Sequence, residues 1–234
     1  MKFEPNNIKL RFGKKSTFLR KWIQRFNILK HNKIGVLNVH LKFYSMRQAN
    51  YKEKNLIIDI LTQSFESNKS VNYIIPQDEK RIKRIRALMD YSVEICSLFG
   101  EVFISDDNKA CALIVYPDKK KTTLKSIILD AKLILQCVGF KNIKKTLSRE
   151  ALIQKIQPKE RMTYLWFIGV KQSEQNKGIG SLLLQEIIQQ SIQNKRPIYL
   201  ETSTIKNLPW YSKFGFEVYS EQDLSYRLYF LKRE

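Results

Sequence analysis

Between Thr163 and Thr202 the chain passes from one apolar stretch, TYLWFIGV, through a polar loop and one helical period into a second apolar stretch, PIYLET. TYLWFIGV is rich in aromatic and β-branched residues and reads as a strand buried on both faces. Lys171 to Lys177 forms the loop. Over Gly178 to Gln193, an apolar side of Ile179, Leu182, Leu183, Ile187, Ile188 and Ile192 opposes Gln185, Glu186, Gln189, Gln190 and Gln193, the period of a helix. Pro197 to Thr202 is the second strand. A strand, helix and strand of this length join as a right-handed crossover with parallel strands, so the fold class is α/β.

The preceding residues add elements on both sides of such a sheet. Tyr44 to Ala49 reads as a short strand. Lys54 to Phe65 is a helix with Leu56, Ile57, Ile60, Leu61 and Phe65 on one side. A second helix runs from about Glu79 to Phe99, with Ile82, Ile85, Met89, Cys96 and Phe99 as its apolar stripe. Its basic run, Lys80, Arg81, Lys83, Arg84 and Arg86, reads as a solvated face. Asp90 and Glu94 on the same helix read either as that face or as the lining of a pocket. Gly100 to Ile104 and Lys109 to Tyr116 make a hairpin about Asp106-Asp107-Asn108. Leu124 to Val138 and Asn142 to Ile156 are helical, and Pro158 stops the run.

Composition removes several chemistries. The only histidines of the chain, His31 and His40, lie before Met46. A Ser-His or Cys-His nucleophilic site in the main domain is therefore excluded, and no metal site is expected. Cys96, Cys111 and Cys137 are far apart and read as reduced, buried thiols. The 42 Lys+Arg against 22 Asp+Glu give +20, a field that attracts polyanions. Residues 1–45 hold eleven of those bases and one acid, Glu4, a net +10. There Phe18, Leu19, Trp22, Ile23, Phe26 and Leu29 recur at helical spacing beside Arg20, Lys21 and Arg25. That segment can lie on an anionic membrane, pack on its own domain, or be an extension without function. Residues 1–43 are thus set apart as a basic N-terminal extension from a single domain, 44–234. Leu124 to Phe140, the longest apolar stretch, is broken by Lys125, Asp130 and Lys132 and is too polar to span a bilayer. With no secretory apolar region in view, the expected location is cytoplasmic.

The turn into the late helix reads Gln175-Asn176-Lys177-Gly178-Ile179-Gly180-Ser181. Glycines let backbone approach a ligand, and a helix N-terminus offers unpaired N–H groups. Together they make a diphosphate cradle, to which Lys177 adds charge and Ser181 a hydroxyl. No third glycine completes a dinucleotide fingerprint, and no Gly-Lys-Ser/Thr completes a phosphate-binding loop. About thirty residues on, the chain reads Asn207-Leu208-Pro209-Trp210-Tyr211-Ser212-Lys213-Phe214-Gly215-Phe216.

Gln-x-x-Gly-x-Gly after a buried strand, followed by Asn, Tyr and Gly-Phe, resembles the two signatures of the GNAT superfamily of N-acetyltransferases. Pro158-Lys159-Glu160 and Tyr199-Leu200-Glu201-Thr202-Ser203, continued by Asn207-Leu208-Pro209, resemble its puromycin N-acetyltransferase branch. The resemblance is specific over residues 158–218. It implies a single GNAT domain with a mixed, mostly antiparallel sheet, a splayed parallel pair and helices on both faces. It implies acetyl-CoA as cosubstrate and an amine acceptor, most simply a small molecule. A protein lysine or N-terminus is the alternative acceptor. An inactive basic protein binding nucleic acid or membrane is a further alternative, against which intact Gly178, Gly180, Asn207 and Tyr211 argue, so no nucleic acid partner is expected.

Carried over residue by residue, the resemblance assigns the backbone of Ile168, Gly169 and Val170 to the pantetheine arm. It assigns the amides of Gln175, Asn176, Lys177, Gly178, Ile179, Gly180 and Ser181 to the pyrophosphate, and Asn207 to the cofactor arm. Tyr211 would protonate the leaving thiolate. A phenol near pKa ~10 giving its proton to a thiolate of pKa ~8.5 is uphill by roughly 2 kcal/mol. Glu201, at the carboxyl end of the second parallel strand, reads as a base, an amine-binding carboxylate or a structural ion-pair member. The helices between Leu124 and Ile156 would cover the acceptor side.

Overall fold

One sheet runs through the domain, with strands in the order β1-β2-β3-β4-β5-β7-β6. They are β1 Met46–Gln48, β2 Gly100–Ser105, β3 Ala110–Val115, β4 Thr163–Val170, β5 Ile198–Thr202, β6 Glu217–Asp223 and β7 Arg227–Arg233. The computed structural model describes residues 46–234; the extension 1–43, Tyr44 and Ser45 lie outside the described residues. All neighbours pair antiparallel except β4 and β5, which are parallel. The expected mixed sheet with one parallel pair is present, with helices on both faces. The closing β6–β7 hairpin was not anticipated.

Among the described residues the α-helices are α1 Lys54–Phe65, α2 Lys69–Ile74, α3 Arg81–Phe99, α4 Leu124–Leu133, α5 Ile143–Ile156, α6 Ile179–Gln193 and α7 Leu208–Lys213. A π-helical turn, Ile134–Val138, extends α4. Helices α1 and α3 cover one face, where Ile57, Ile60, Leu61, Ile85 and Met89 pack with Leu113 and Phe167. Helix α6 covers the other, its Leu183, Leu184 and Ile187 packing against Ala112, Ile114, Leu165 and Leu200. Helix α5 closes a third cluster, Ile153 with Tyr226, Leu228 and Phe230. Burial of each such side chain contributes about 1.5–3 kcal/mol.

Several local expectations are corrected. The buried stripe of α6 is Ile179, Leu183, Leu184, Ile187, Ile188 and Ser191, while Leu182 and Ile192 are 39% and 51% exposed. Ser191 tolerates the inner position because its hydroxyl bonds Thr163 Oγ1 and the Arg196 carbonyl at 2.8 and 2.7 Å. Helix α3 starts at Arg81, and Ile82 is exposed. Its basic face is largely paired, Arg81 with Glu66, Arg84 with Asp78 and Arg86 with Asp59. Asp90 and Glu94 do not stand free: both hold Lys54 of α1, at 2.6 and 2.5 Å, and Glu94 also holds Lys125 at 2.9 Å. All three cysteines are buried and free.

Strand β4 is not buried on both faces: its residues alternate between buried and partly exposed. The strand also carries a bulge. Leu113 faces Phe167 while Ile114 faces Leu165, which leaves Trp166 as the extra residue. Leu165 consequently packs with α6, and Phe167, two residues on, packs with α1 and α3. A bulge bends its strand and redirects the side chains beyond it. Here it turns Ile168 and Val170 to the α6 side.

Candidate active site

Strands β4 and β5 pair only at Thr163–Ile198 and Tyr164–Tyr199. Beyond these two rungs they diverge, so from Leu165 onward the edge of β4 toward β5 lacks a strand partner. The bulge lies at this point of departure. The result is a slot through the sheet between the carboxyl ends of the two parallel strands.

On one face the slot meets the N-terminus of α6. Gly178, the N-cap, has φ +82°, a left-handed conformation that costs most other residues about 1–2 kcal/mol. Asn176 is also left-handed, at φ +62°. Left-handed residues at alternate positions point successive amides toward one concavity, an anion-binding nest. No side chain caps α6. Ser181 N–H and Leu182 N–H both donate to the Gly178 carbonyl, and Gln175 N–H reaches Gln172 O at 3.4 Å. The amides of Asn176, Lys177, Gly178, Ile179 and Gly180 have no acceptor among the described residues. These five are the free donors of the expected cradle, and the Ser181 amide is not one of them, because it closes the first turn.

The cradle's side chains also differ from expectation. Lys177 sits 3.3 Å from Glu174, whose carboxylate also holds Lys109 at 3.2 Å. Those hydrogen bonds, first from Lys109 and then from Lys177, keep Glu174 below the usual carboxylate range. Much of the Lys177 charge is therefore answered locally. Ser181 Oγ accepts from the Trp210 indole N–H at 2.9 Å, which ties α7 to the cradle. Gly169 serves packing: a Cβ there would lie 2.9 Å from Leu61 Cδ2 and 3.1 Å from Ser64 Oγ. The Val170 carbonyl accepts from Ser64 Oγ at 3.1 Å and from Gln175 Nε2 at 3.3 Å.

Tyr211, on α7, is buried with Ile179, Leu200 and Phe216. Its ring meets Trp210 and Phe216 at centroid distances of 4.7 and 5.5 Å. Its hydroxyl has no hydrogen-bond partner among the described residues and is not among the sealed polar atoms. Burial raises its pKa well above that of a free phenol, so full proton transfer to a thiolate costs more than the roughly 2 kcal/mol expected from sequence. Asn207 is exposed at the N-cap of α7. It does not share the buried side of Tyr211, because the helix begins only at Leu208.

The other face carries Glu201. Its neighbour Leu200 packs toward α6, so Glu201 points the opposite way. There Gln157 Nε2 donates to its Oε1 at 2.9 Å, and the Tyr164 hydroxyl donates to its Oε2. Burial raises the Glu201 carboxyl above its ordinary range, opposed by these two hydrogen bonds. Beside it, Arg149 Nε donates to Tyr226 Oη at 3.1 Å, and another Arg149 nitrogen reaches Ser70 Oγ. Tyr226 Oη also lies 3.2 Å from Ser70 Oγ. Tyr164, Gln157, Arg149, Ser70 and Tyr226 were not anticipated as site residues. Only Tyr164 carried a signal, since its register opposite Tyr199 puts it one strand away from Glu201. Helix α5 does cover this face, through Ile153 and Ile156 against β7.

An open cavity of about 590 Å³ adjoins the cradle loop between α1 and residues 171–173, lined by Leu56, Asp59, Ile60, Gln63, Lys171, Gln172 and Ser173. It includes neither Glu201 nor Tyr211. Among the described residues no group of His, Cys, Asp and Glu is arranged to hold a metal ion, and no helix is long and apolar enough to cross a membrane.

Residues 130–218 match the family model for the acetyltransferase (GNAT) domain. An uncharacterized N-acetyltransferase of Schizosaccharomyces pombe is 43% identical over 53 residues, which cover 23% of this chain and 22% of that relative. The match thus spans less than a quarter of either protein. Among solved structures, the Corynebacterium glutamicum "histone acetyltransferase HPA2 and related acetyltransferase" aligns with a TM-score of 0.61 at 19% identity, covering 81% of this chain and 94% of that one. Arylalkylamine N-acetyltransferase 2 from Aedes aegypti aligns with a TM-score of 0.54 at 15% identity, covering 82% and 98%. At these identities the two structures speak to the fold.

Proposed function

We propose that the chain is a GNAT acetyltransferase that moves an acetyl group from acetyl-CoA to a primary amine of a small molecule. Residues 44–234 are the catalytic domain in this reading and residues 1–43 its basic extension. The carrying observation is the slot, which opens where β4 leaves β5 and has five unpaired amides of the α6 N-terminus at one mouth. A diphosphate fits those amides by charge and hydrogen bonding, since nothing else caps them. The free edge of β4 over Ile168 to Val170 suits the pantetheine arm as an added strand, with Asn207 at its rim.

The two faces then divide the chemistry. The amine approaches on the Glu201 face, where the carboxylate accepts a proton from the ammonium form, directly or through water. The neutral nitrogen attacks the thioester carbon, and a β4 N–H stabilises the oxyanion. The C–N bond forms, the C–S bond breaks, and the sulfur leaves as thiolate toward the Tyr211 face. The Tyr211 hydroxyl donates a hydrogen bond to it and passes its proton as the site is resolvated, and the proton that the attacking nitrogen sheds as the amide forms returns to the phenolate through water. No covalent enzyme intermediate is needed, in keeping with a domain lacking histidine. The small-molecule assignment is supported by the enclosed setting of Glu201 between β5 and α5.

The test is a screen of small primary amines, a lysine peptide and N-terminal peptides with acetyl-CoA, following free thiol and acetylated product. Product from a small amine at a kcat/KM well above that of any peptide supports the proposal. Turnover confined to peptides reassigns the acceptor, and failure to bind acetyl-CoA overturns the reading as a whole.

A further inference from the structure

Helix α4 presents apolar side chains to solvent along one stripe. Leu124, Ile127, Ile128 and Leu135 are 76%, 52%, 49% and 62% exposed. With Ala131 they fall within about 100° of one another around the helix axis. The opposite side carries Ser126, Leu129 and Cys137, all buried. Lys132 borders the stripe, as does Lys125, which is paired with Glu94 at 2.9 Å. From Lys119 to Lys145 the sequence holds eight lysines and one acid, Asp130, and that carboxylate accepts from the Tyr91 hydroxyl at 2.7 Å.

A second feature adjoins the stripe. A cavity of about 380 Å³ opens between α3 and the π turn, lined by Lys80, Lys83, Arg84, Ala87, Leu135 and Gln136. Leu135 belongs to both features. Arg84 is paired with Asp78, whose carboxylate also accepts from the Lys80 backbone N–H at 3.0 Å and feels the Lys80 charge, while Lys83 stands in no ion pair among the described residues. A cationic cavity thus stands at the end of an apolar ridge bordered by lysines.

We propose that this face docks the domain on an anionic lipid bilayer. Helix α4 lies in the interfacial plane with Leu124, Ile127, Ile128 and Leu135 entering the headgroup–acyl boundary. Lys132 reaches outward to headgroups, and a lipid phosphate enters the cavity at Lys80 and Lys83. A second copy of the chain is the poorer occupant, because stripe-to-stripe pairing would bring two sets of lysines together in low dielectric. This docking does not depend on the acceptor proposed above.

The full chain is to be co-sedimented with vesicles of phosphatidylcholine alone or mixed with phosphatidylserine, at low and high salt. Binding is expected only to the phosphatidylserine vesicles and falls as salt rises. Ile127→Asp with Leu135→Asp lowers partitioning roughly 100-fold or more, from the lost apolar insertion. Lys80→Gln with Lys83→Gln lowers it roughly 25-fold, about fivefold per lysine, with a smaller salt dependence. All four side chains lie outside the slot, so acetyl-CoA affinity and thermal melting serve as controls and stay unchanged. No binding of the full chain to phosphatidylserine vesicles overturns the proposal. So does undiminished binding of both variants, which assigns the contact to residues 1–43. A dimer in sedimentation velocity that the stripe variant abolishes, without vesicle binding, also overturns it in favour of self-association.

Discussion

The two faces of the β4–β5 slot are made from different material. On the α6 face the unpaired polar groups are main-chain amides, held by a left-handed glycine and the start of one helix. On the Glu201 face the polar groups are side chains drawn from α2, α5, the segment after it, strands β4 and β5 and the turn between β6 and β7. A main-chain site is indifferent to most substitutions and fails only when its backbone geometry or its electrostatic opening changes. A side-chain site can be re-specified one residue at a time. The first suits a part of the substrate that never varies, and the second suits the part that does.

The largest effect should come from the backbone face. Gly178→Glu places a carboxylate at the cradle mouth, where a Cβ meets nothing within 4 Å. The fold should survive at a cost of about 1–2 kcal/mol for the left-handed backbone, while acetyl-CoA binding disappears from calorimetry. Unchanged affinity in the folded variant would remove the cradle from the site. Next, Tyr211→Phe deletes one unpaired hydroxyl and should lower kcat roughly 10²–10⁴-fold with little change in KM for acetyl-CoA. Donors with better leaving thiols should lose less. A variant within about threefold of wild type would make Tyr211 a packing residue.

Glu201→Gln probes the other face and should cost roughly 10² in kcat near neutrality. Wild-type activity should climb with pH through a carboxyl pKa held above its ordinary range by burial, because only the carboxylate accepts the proton. The variant should lack that limb and recover about tenfold per pH unit as the amine itself deprotonates. Stability separates this role from a structural one. With its folded pKa raised, Glu201 favours the native state fully below its unfolded pKa and loses that contribution as pH rises through the folded one. The glutamine variant should thus melt no lower than wild type at pH 8. A markedly lower melting temperature there would make the carboxylate a structural partner of Tyr164 and Gln157.

The smallest effect distinguishes packing from chemistry within β4. Gly169→Ala drives a methyl against buried Leu61 and should cost about 1–3 kcal/mol in denaturant unfolding. The kcat of the folded fraction should be unchanged. A fall in kcat without a fall in stability would mean that the β4 backbone had shifted at the slot.

The same contrast explains what could be read from the sequence. The glycine turn into α6 was legible because Gly178, Gly180 and the apolar period after them are contiguous, and glycine spacing is itself a statement about backbone. The parallel pair was legible because a strand, helix and strand of that length close in one way. The Glu201 environment was not, since Ser70, Arg149, Gln157 and Tyr226 are brought together only by tertiary packing and each looks ordinary in its own segment. The bulge at Trp166 was hidden for another reason. An uninterrupted apolar run has no alternation from which a slipped residue would stand out, so burial on both faces was the natural reading of TYLWFIGV. Lys177 and Ser181 looked free because Glu174 and Trp210 were not yet beside them.

The two rungs between β4 and β5 also make a mechanical seam. Strands β1 to β4 form one panel and β5 to β7 another, and along their junction the ladder stops after Tyr164 and Tyr199. A molecule that hydrogen-bonds along the open edge of β4 supplies the missing rungs and turns two panels into one continuous plate. In the proposed reaction each cycle would then stiffen the sheet on loading and loosen it on release, with the cosubstrate serving as a removable strand.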